Sequence, residues 1–522
     1  MKLLSRNSVW KFGIRKIASR ENNLTVRARM HEDPNKVFVI DDGKKITYGD
    51  FLKRAGQYVA SLHQHYKISK GDRILARVSK NVDAIALYVA CLRLGAIYVP
   101  LNPAYTKQET EHFVKDASPS LFVTCNESAD KEFVGKVQHV LKESDLSAST
   151  SKLSPNLDVE NLESDDVGVI CYTSGTTGLP KGAMLTHGGL SSNAEALIDC
   201  WQFSKNDVQL HCLPFFHIHG LFVAFNCTIF SHSTLLWRPK FDVSDVIKHI
   251  PESTVMMGVP TYYRFGIIGI RNKICVFFSR LCGSSKLSPD LCKTFRVFIC
   301  ASAPLPDEVW KDFQKKSGHT ILERYGMTEA QVVTSNSYSV SKRAPSVQGK
   351  PLKGVDVRIT DTGSIEVKSP SLFKGYWKNP EKTAKDFTQD GYFITGDMGQ
   401  WDKNENLVLL GRSKDVIITG GLNVYPKEVE DQLDQFDEIE ESAVIGVPHS
   451  DFGEAVVGVI VLYDRDGDKT ELEKRIIIDL KAKLAGYKVP RKLIFVKELP
   501  RNTLTKVQKN EMRKQYKDLF KS

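Results

Sequence analysis

The sequence lacks the cysteine pairs, long apolar runs and repeats that define several common protein classes. Its ten cysteines all precede residue 301, and no two of them form a Cys-x-x-Cys pair. This spacing argues against a disulfide framework or a zinc module and is typical of reduced thiols inside a cell. No run approaches the roughly 20 apolar residues that cross a bilayer, so we expect no integral membrane segment. No repeat of about 20 to 50 residues is visible.

Positive charge is concentrated at the N-terminus. The 522 residues have a formal net charge of +10, and six basic residues precede the first acidic one, Glu21. Leu3, Trp10, Ile14 and Ile17 are spaced to share one helix face. This make-up is typical of a mitochondrial transit peptide, and it predicts a mature protein in the mitochondrial matrix; a disordered basic tail is the alternative. The remaining charge gives no reason to expect a nucleic-acid partner.

Strand and helix signals alternate along the first part of the chain. A chain of this length exceeds what one hydrophobic core supports, so we expect two or more domains. Residues 46–50 end a strand and begin a helix, and the apolar strand 73–78 precedes a helical stretch at 82–94. Such alternation predicts a parallel α/β sheet. The polar stretch 142–166 predicts a surface connection, and a separate α+β pattern follows residue 415.

Tyr172 to Gly182 is a loop rich in glycine, serine and threonine that follows an apolar strand at 167–172. Its glycines allow backbone N–H groups to approach an anion, and its hydroxyls and Lys181 supply further donors. The composition predicts a phosphate-binding loop, with a flexible linker as the alternative. The Gly-Lys-Ser/Thr of a P-loop is missing, so we expect a different nucleotide-binding fold.

Further motifs follow this loop in a fixed order. They are Ala301-Ser302-Ala303-Pro304, Arg324-Tyr325-Gly326-Met327-Thr328-Glu329, Thr395-Gly396-Asp397, Gly411-Arg412-Ser413-Lys414-Asp415, Gly420-Gly421-Leu422-Asn423-Val424-Tyr425-Pro426 and Pro500-Arg501-Asn502-Thr503-Leu504-Thr505-Lys506. Together they resemble the motifs of the adenylate-forming acyl-CoA synthetases over about residues 25–515. The resemblance implies that a carboxylate reacts with ATP and Mg²⁺ to give an acyl-adenylate and pyrophosphate. The thiol of coenzyme A then displaces AMP.

The resemblance also implies a role for each matching residue. The expected ATP contacts are Thr173, Ser174, Gly175, Thr176, Thr177, Gly178, Lys181, Ala301, Ser302, Ala303, Tyr325, Gly326, Met327, Asp397 and Arg412. The expected catalytic residues are Thr328 at the α-phosphate, Glu329 as the Mg²⁺ ligand and Lys506, which stabilises charge as the adenylate forms. Gly420 and Gly421 are expected in the coenzyme A tunnel, and Lys414 at the hinge. At Thr505, next to Lys506, this sequence departs from the family, which usually has glycine at that position.

The fold implied by the resemblance is α/β with two domains. Residues 21–410 would form a large N-terminal adenylation domain of parallel α/β sheets plus a distorted β-barrel. Residues 411–415 would be the hinge, and 416–522 a small mobile α+β domain, with 1–20 as the transit peptide. We expect small-molecule substrates, no nucleic-acid partner, no integral membrane segment, and a monomer or weak homo-oligomer.

Two features indicate that the acid is a small dicarboxylate. His217 stands at the acyl-gate position of the family, within Leu213 to Leu221. Arg324 precedes Tyr325 where fatty-acid and aryl-acid relatives usually have a neutral residue, and the malonyl-CoA synthetases have Glu-Arg-Tyr-Gly-Met-Thr-Glu. A buried arginine is costly unless it faces an anion, which a second substrate carboxylate would supply.

Both features also have an alternative explanation that involves no substrate. Arg324 could instead form a structural pair with Glu323 or with a nearby aspartate. His217 and His219 would share one face of a strand by spacing alone, and a metal pair would need a third ligand that the sequence does not suggest.

Residues 264–278 interrupt the pattern of the malonyl-CoA synthetases. Removing these fifteen residues joins Tyr263 to Ser279-Arg280-Leu281 and restores it, with Arg280 as the expected second ligand of the remote carboxylate. Our hypothesis is that the segment is translated intron. Fifteen codons preserve the reading frame, and residues 277–279 can be encoded by a pyrimidine-rich acceptor site that ends in CAG.

The sequence therefore predicts ligation of malonate to coenzyme A. One alternative is a ligase for another short-chain carboxylate such as methylmalonate. The other is an inactive nucleotide-binding pseudoenzyme, in which the interrupting segment has abolished turnover.

Sequencing of the transcript tests the intron hypothesis. We expect the main messenger RNA to lack the codons for 264–278 and to join the codons of Tyr263 and Ser279 directly. A main message that retains all fifteen codons would show that the segment is native protein.

Overall fold

The computed structural model describes residues 21–126, 130–173, 180–263, 281–303, 305–463, 469–501 and 507–520, and the backbone alone for 266–271 and 274–278. The described chain forms two sheets of mainly parallel strands, an antiparallel sheet and a separate C-terminal α+β unit.

The large sheet contains nine strands. They are β1 Val37–Asp41, β2 Lys44–Thr47, β9 Val208–His211, β10 Thr234–Trp237, β11 Val255–Gly258, β14 Val297–Cys300, β15 Ile321–Met327, β16 Gln331–Ser335 and β17 Lys350–Pro351. Their order is β17-β16-β15-β14-β11-β9-β10-β1-β2. The strands from β15 to β1 are parallel, and β2, β16 and β17 are antiparallel to their neighbours.

The small sheet contains six strands in the order β6-β5-β3-β4-β7-β8. They are β3 Arg73–Arg77, β4 Ile97–Pro100, β5 Leu121–Thr124, β6 His139–Lys142, β7 Val167–Thr173 and β8 Lys181–Thr186. Only β8 is antiparallel to its neighbour. Every residue of β4 and β5 is buried, as expected for parallel strands that are covered on both faces.

Helices connect and cover these strands. They are α1 Leu24–Arg27, α2 Tyr48–Gln64, α3 Val82–Leu94, α4 Lys107–Ala117, α5 Glu143–Thr150, α6 His187–Cys200, α7 Phe225–Ser231, α8 Val243–His249, α9 Pro260–Tyr263 and α10 Asp307–Ser317. The side chains of Thr47 and Asn81 cap α2 and α3, and Gly95 ends α3 with a φ of 69°. The predicted alternation of strand and helix is confirmed here. Among the described residues, no helix combines the length and apolar composition needed to span a membrane.

An antiparallel sheet follows, with strands β18 Asp356–Ile359, β19 Ser364–Lys368, β20 Phe393–Trp401 and β21 Leu407–Arg412, and helix α11 Pro380–Lys385. The chain then passes through a 3₁₀ turn, Ser413–Asp415, into the C-terminal unit.

The C-terminal unit comprises β22 Ile417–Thr419, β23 Leu422–Val424, α12 Pro426–Leu433, β24 Ile439–His449, β25 Gly453–Leu462, α13 Lys469–Lys483, β26 Lys492–Val496 and α14 Lys509–Gln515. Its buried side chains, including Leu433, Val444 and Ile476, form a hydrophobic cluster drawn only from residues after 416 in the described chain. This separate core is compatible with the predicted domain bounds, which stay a prediction.

The surface connection expected at 142–166 is partly wrong, because Glu143–Thr150 form α5. Leu146 is buried, and Arg54 of α2 donates to the carbonyl and the hydroxyl of Ser147, at 3.2 and 3.0 Å. Serine is a weak helix former, so composition alone favoured a loop. The contacts with α2 stabilise the helix, and a local pattern does not reveal them.

Part of the interrupting segment forms a hairpin of its own. Strands β12 Gly266–Arg271 and β13 Ile274–Phe278 pair with each other, and neither joins another strand of the described chain. The elements on either side, α9 and the 3₁₀ turn Leu281–Gly283, are in contact. The hairpin is therefore a separate two-stranded sheet in the connection between β11 and β14 of the large sheet.

Candidate active site

Tyr325, Asp397 and Arg412 meet where the large sheet faces the antiparallel sheet. Tyr325 lies on β15, and Asp397 and Arg412 lie opposite each other on β20 and β21. The Tyr325 hydroxyl donates to Asp397 Oδ2 at 2.6 Å, and Arg412 Nε lies 2.7 Å from Asp397 Oδ1. Burial and the charge of Asp397 raise the pKa of Tyr325, which keeps its hydroxyl a donor. Three of the predicted ATP contacts thus form one bonded group.

Glu329 is a buried carboxyl that accepts hydrogen bonds from two hydroxyl groups. Its Oε1 accepts from Tyr376 Oη at 3.1 Å and from Thr173 Oγ1 at 3.4 Å. Burial raises the pKa of Glu329. Lys181 Nζ lies 5.6 Å from the centre of the Tyr376 ring. Two residues of the predicted phosphate loop therefore lie at this carboxyl: Thr173 contacts Glu329 directly, and Lys181 lies beside its partner Tyr376.

Tyr376 is a residue of this site that the sequence analysis missed. Its backbone forms a bridge with Ala183 of β8, and Trp377 N donates to Gly182 O at 2.7 Å. These contacts join segments almost 200 residues apart. A pairing of this kind leaves no local signal in the sequence.

The other predicted nucleotide contacts lie at strand ends. Gly326 and Met327 end β15, and Thr328 follows in the turn. A side chain at Gly326 would place its Cβ 2.0 Å from Gln331 O, so only glycine fits. Ala301, Ser302 and Ala303 follow β14, and Ala301 N donates to Gly258 O at 3.2 Å.

His217 and His219 do not lie on a strand, so that expectation is wrong. His219 begins a π-helical turn, His219–Ala224, and its N–H approaches His217 Nδ1 at 3.4 Å. His219 Nδ1 lies 3.3 Å from Ser302 Oγ. Burial lowers the pKa of His219 well below its usual range, and the charge of Arg324 contributes, so the ring is neutral.

Arg324 is 5% exposed, and its Nε and Nη2 have no hydrogen-bond partner among the described residues. Burial lowers its pKa to about 10, which leaves the guanidinium charged at neutral pH. Glu323 points to the other face of β15, as strand alternation requires, and accepts from Ser346 N at 3.0 Å. The structural pair of Arg324 with Glu323 is not formed.

The hinge and tunnel residues lie at the start of the C-terminal unit. Lys414 is in the 3₁₀ turn, where burial lowers its pKa, and the adjacent Asp415 is bound by Arg513 of α14 at 2.8 Å. Gly420 and Gly421 connect β22 to β23 with φ of 58° and 80°, a left-handed turn that favours glycine. Seven predicted site residues lie outside the described residues: Ser174, Gly175, Thr176, Thr177, Gly178, Arg280 and Lys506.

A cavity of about 360 Å³ lies between the large sheet and the small sheet and is lined by residues that include Lys80, Asn102, Phe216 and Tyr262. Lys80 was not predicted. Its Nζ donates to the carbonyls of His211 and Arg238 at 2.9 and 2.6 Å, and burial lowers its pKa to about 7. The cavity wall thus includes a buried amine whose charged form is disfavoured by desolvation.

The AMP-binding enzyme family matches residues 26–377, and the AMP-binding enzyme C-terminal domain matches residues 428–506. The chain therefore belongs to the AMP-binding enzyme family. Its motifs and its sheet architecture place it among the adenylate-forming acid-thiol ligases of that family.

Particular relatives are similar over most of the chain. A malonate-CoA ligase of Arabidopsis thaliana is 32% identical over 92% of this chain and 86% of that protein. The mitochondrial malonate-CoA ligase of Mus musculus is 32% identical over 85% of this chain and 82% of that protein. The crystal structure of ATP-bound MatB from Rhodopseudomonas palustris matches with a TM-score of 0.88 and 40% identity, over 96% of this chain and 100% of that one.

The Glu323→Gln variant should be more stable than the wild type at pH 8 but not at pH 5. Burial raises the pKa of Glu323 to about 8, so between pH 5 and 8 the folded protein holds a proton that the unfolded carboxyl has lost. Wild-type stability from this group is therefore greatest at low pH and falls as the pH rises to 8, whereas glutamine keeps the neutral form. We expect the thermal midpoint at pH 8 to be about 2–5 °C higher in the variant.

Glu366→Gln is the matched control, because buried Glu366 is paired with Arg358 at 2.6 Å and should lose stability at both pH values. Parallel pH profiles for the wild type and Glu323→Gln would mean that Glu323 is ionised in the folded protein, contrary to this account.

Proposed function

We propose that the protein ligates malonate to coenzyme A through a malonyl-adenylate, with release of pyrophosphate and then AMP. The choice of malonate as the acid rests on the burial of Arg324 and on its two unpaired nitrogen atoms. A buried guanidinium without a carboxylate partner is costly, and the second carboxylate of malonate would neutralise it. Two of the relatives above are named malonate-CoA ligases, which supports the same acid.

The remote carboxylate would be bound by Arg324 and Arg280, and His217 would stand at the entrance of the acyl pocket. Arg324 and His219 are close enough for the charge of Arg324 to lower the His219 pKa. Bidentate pairing of guanidinium with carboxylate suits this role. Arg280 lies outside the described residues, so its part in the proposal rests on the motif that removal of 264–278 restores.

The nucleotide would lie between the large and antiparallel sheets. Asp397 and Arg412 would hold the ribose hydroxyls, and Tyr325 would keep Asp397 oriented through their 2.6 Å bond. Ala301, Ser302 and Ala303 would border the adenine, with Gly326 and Met327 beside it. Thr328 would donate to the α-phosphate, and Lys181 with the hydroxyls and amides of 173–178 would bind the β- and γ-phosphates.

Glu329 would hold Mg²⁺. A carboxylate at the edge of the phosphate site supplies the oxygen ligand that this hard cation prefers, and phosphates and water complete such sites. The described residues contain no cluster of three or more His, Cys, Asp or Glu side chains for a metal, which fits an ion held largely by the nucleotide. When bound, Mg²⁺ would neutralise phosphate charge.

In the first step, a malonate oxygen attacks the α-phosphorus of ATP, and the bond to pyrophosphate breaks. Lys506 would bridge the carboxylate and α-phosphate oxygens, while Lys181 stabilises the leaving charge. In the second step, the sulfur of coenzyme A attacks the carbonyl carbon that is bonded to AMP in the malonyl-adenylate. The bond from this carbon to the phosphate oxygen of AMP then breaks. Rotation of the 416–522 domain about Lys414 would withdraw Lys506 and bring Gly420 and Gly421 to the thiol tunnel.

We further propose that the protein acts in the mitochondrial matrix after loss of residues 1–20, as a monomer or weak homo-oligomer. The basic N-terminal segment and the mitochondrial relative of Mus musculus support this location. Malonyl-CoA made there would be available to fatty acid metabolism.

The acid is tested with the full chain, ATP, Mg²⁺ and coenzyme A, and malonate, methylmalonate or acetate in parallel. We expect malonate to have the highest kcat/KM for acyl-CoA and AMP formation. Arg324→Met should lower kcat/KM for malonate about 100-fold, because it removes the charge that binds the second carboxylate. The kcat/KM for acetate, which has no second carboxylate, should change little.

Arg343→Met is the matched control. Arg343 is also buried, but it donates to backbone carbonyls of Thr320 and Tyr338 instead of facing the site. It should affect stability and leave the malonate-to-acetate ratio unchanged. Equal losses for both acids in Arg324→Met, or a preference for acetate in the wild type, would contradict the proposal.

A further inference from the structure

His219 has a buried ring nitrogen without a partner among the described residues. Its ring contacts Ser302, which lies two residues beyond Cys300, and Cys300 is paired with Glu323, the neighbour of Arg324 on β15. The residue is 1% exposed, and its Nε2 has no hydrogen-bond partner among the described residues. Arg324 Nε and Nη2 are also buried and have no hydrogen-bond partner among the described residues. Buried polar atoms are rarely left unpaired in native proteins, so three such atoms on two neighbouring side chains indicate a missing ligand.

Ser302 determines what kind of ligand His219 can bind. Its Oγ lies 3.3 Å from His219 Nδ1, and its φ of 74° is a left-handed conformation that serine seldom adopts. When the hydroxyl donates to Nδ1, the neutral ring carries its proton on Nε2. His219 then presents an N–H donor, as Arg324 does.

We propose that His219 is a specificity-determining residue whose Nε2–H, together with Arg324, binds the remote carboxylate of the acid, and that Ser302 is its positioning residue. This inference rests on the proposed malonate-CoA ligase function. A site made only of donors matches the two acceptor oxygens of a carboxylate. It disfavours a carboxamide, whose NH₂ would face an N–H donor. The substrate class is therefore a short acid with a free second carboxylate.

The test compares His219→Leu, His219→Gln and a control, His211→Leu, in the full chain. A hydrogen bond to a charged group is worth about 10- to 100-fold in affinity. His219→Leu should lower the malonate-to-acetate ratio of kcat/KM by that factor, mainly through the KM for malonate. Glutamine can place an N–H donor near the position of Nε2, so His219→Gln should keep the ratio within about fivefold of the wild type.

His211 is the matched control because it is also a buried histidine with one ring nitrogen, Nδ1, unpaired among the described residues, while its Nε2 is bonded to Gly220 O at 3.0 Å and its ring is stacked on Trp237. His211→Leu should reduce the thermal midpoint without changing the ratio. An unchanged ratio in His219→Leu, or an equal fall in His211→Leu, would overturn the inference. If the wild type forms no malonyl-CoA at all, the proposed function itself is wrong.

Malonamate, the monoamide of malonate, gives a second readout that does not depend on the folding of His219→Leu. The wild type should favour malonate over malonamate by about tenfold or more. His219→Gln can turn its carbonyl oxygen toward the NH₂ of malonamate, so this preference should narrow. A preference that is the same in the wild type and His219→Gln would overturn the proposed contact.

Discussion

The buried charge of Arg324 is the constraint on which the account of the acid depends. Desolvation of a guanidinium costs several kcal/mol unless an anion compensates, and the described residues supply none. Strand alternation on β15 explains why: Glu323, the nearest carboxyl in sequence, points to the opposite face and binds Ser346 instead. The compensating anion is therefore best supplied by the substrate.

The same strand connects acid recognition to the nucleotide site. Tyr325 follows Arg324 directly and is bonded to Asp397 of the antiparallel sheet, while Glu329 beyond the strand end is bonded to Tyr376 and Thr173. One short segment thus holds the groups proposed for the acid and the metal, and it orients Asp397, which is proposed for the ribose. Since strand geometry fixes their spacing, the acid and the nucleotide can be held together without large rearrangement of this part of the site.

The sequence predicted the parts of the molecule that have local signals. Alternating apolar strands and helical stretches marked the α/β sheets, and the order of the motifs indicated Glu329, Asp397 and Arg412. It missed α5, the π-helical turn at His219, Tyr376 and Lys80. Of these, α5, Tyr376 and Lys80 depend on contacts between distant segments, such as Arg54 with Ser147, Tyr376 with Glu329 and Lys80 with His211. Arg324 and Glu323 do not pair because they lie on opposite faces of β15.

This site should make a malonyl-adenylate before coenzyme A takes part. Exchange of labelled pyrophosphate into ATP, measured without coenzyme A, is the sharpest test, because only reversible adenylate formation moves the label. We expect exchange that requires malonate and that is abolished in Lys506→Ala. Exchange that needs coenzyme A, or that proceeds equally well without malonate, would contradict it.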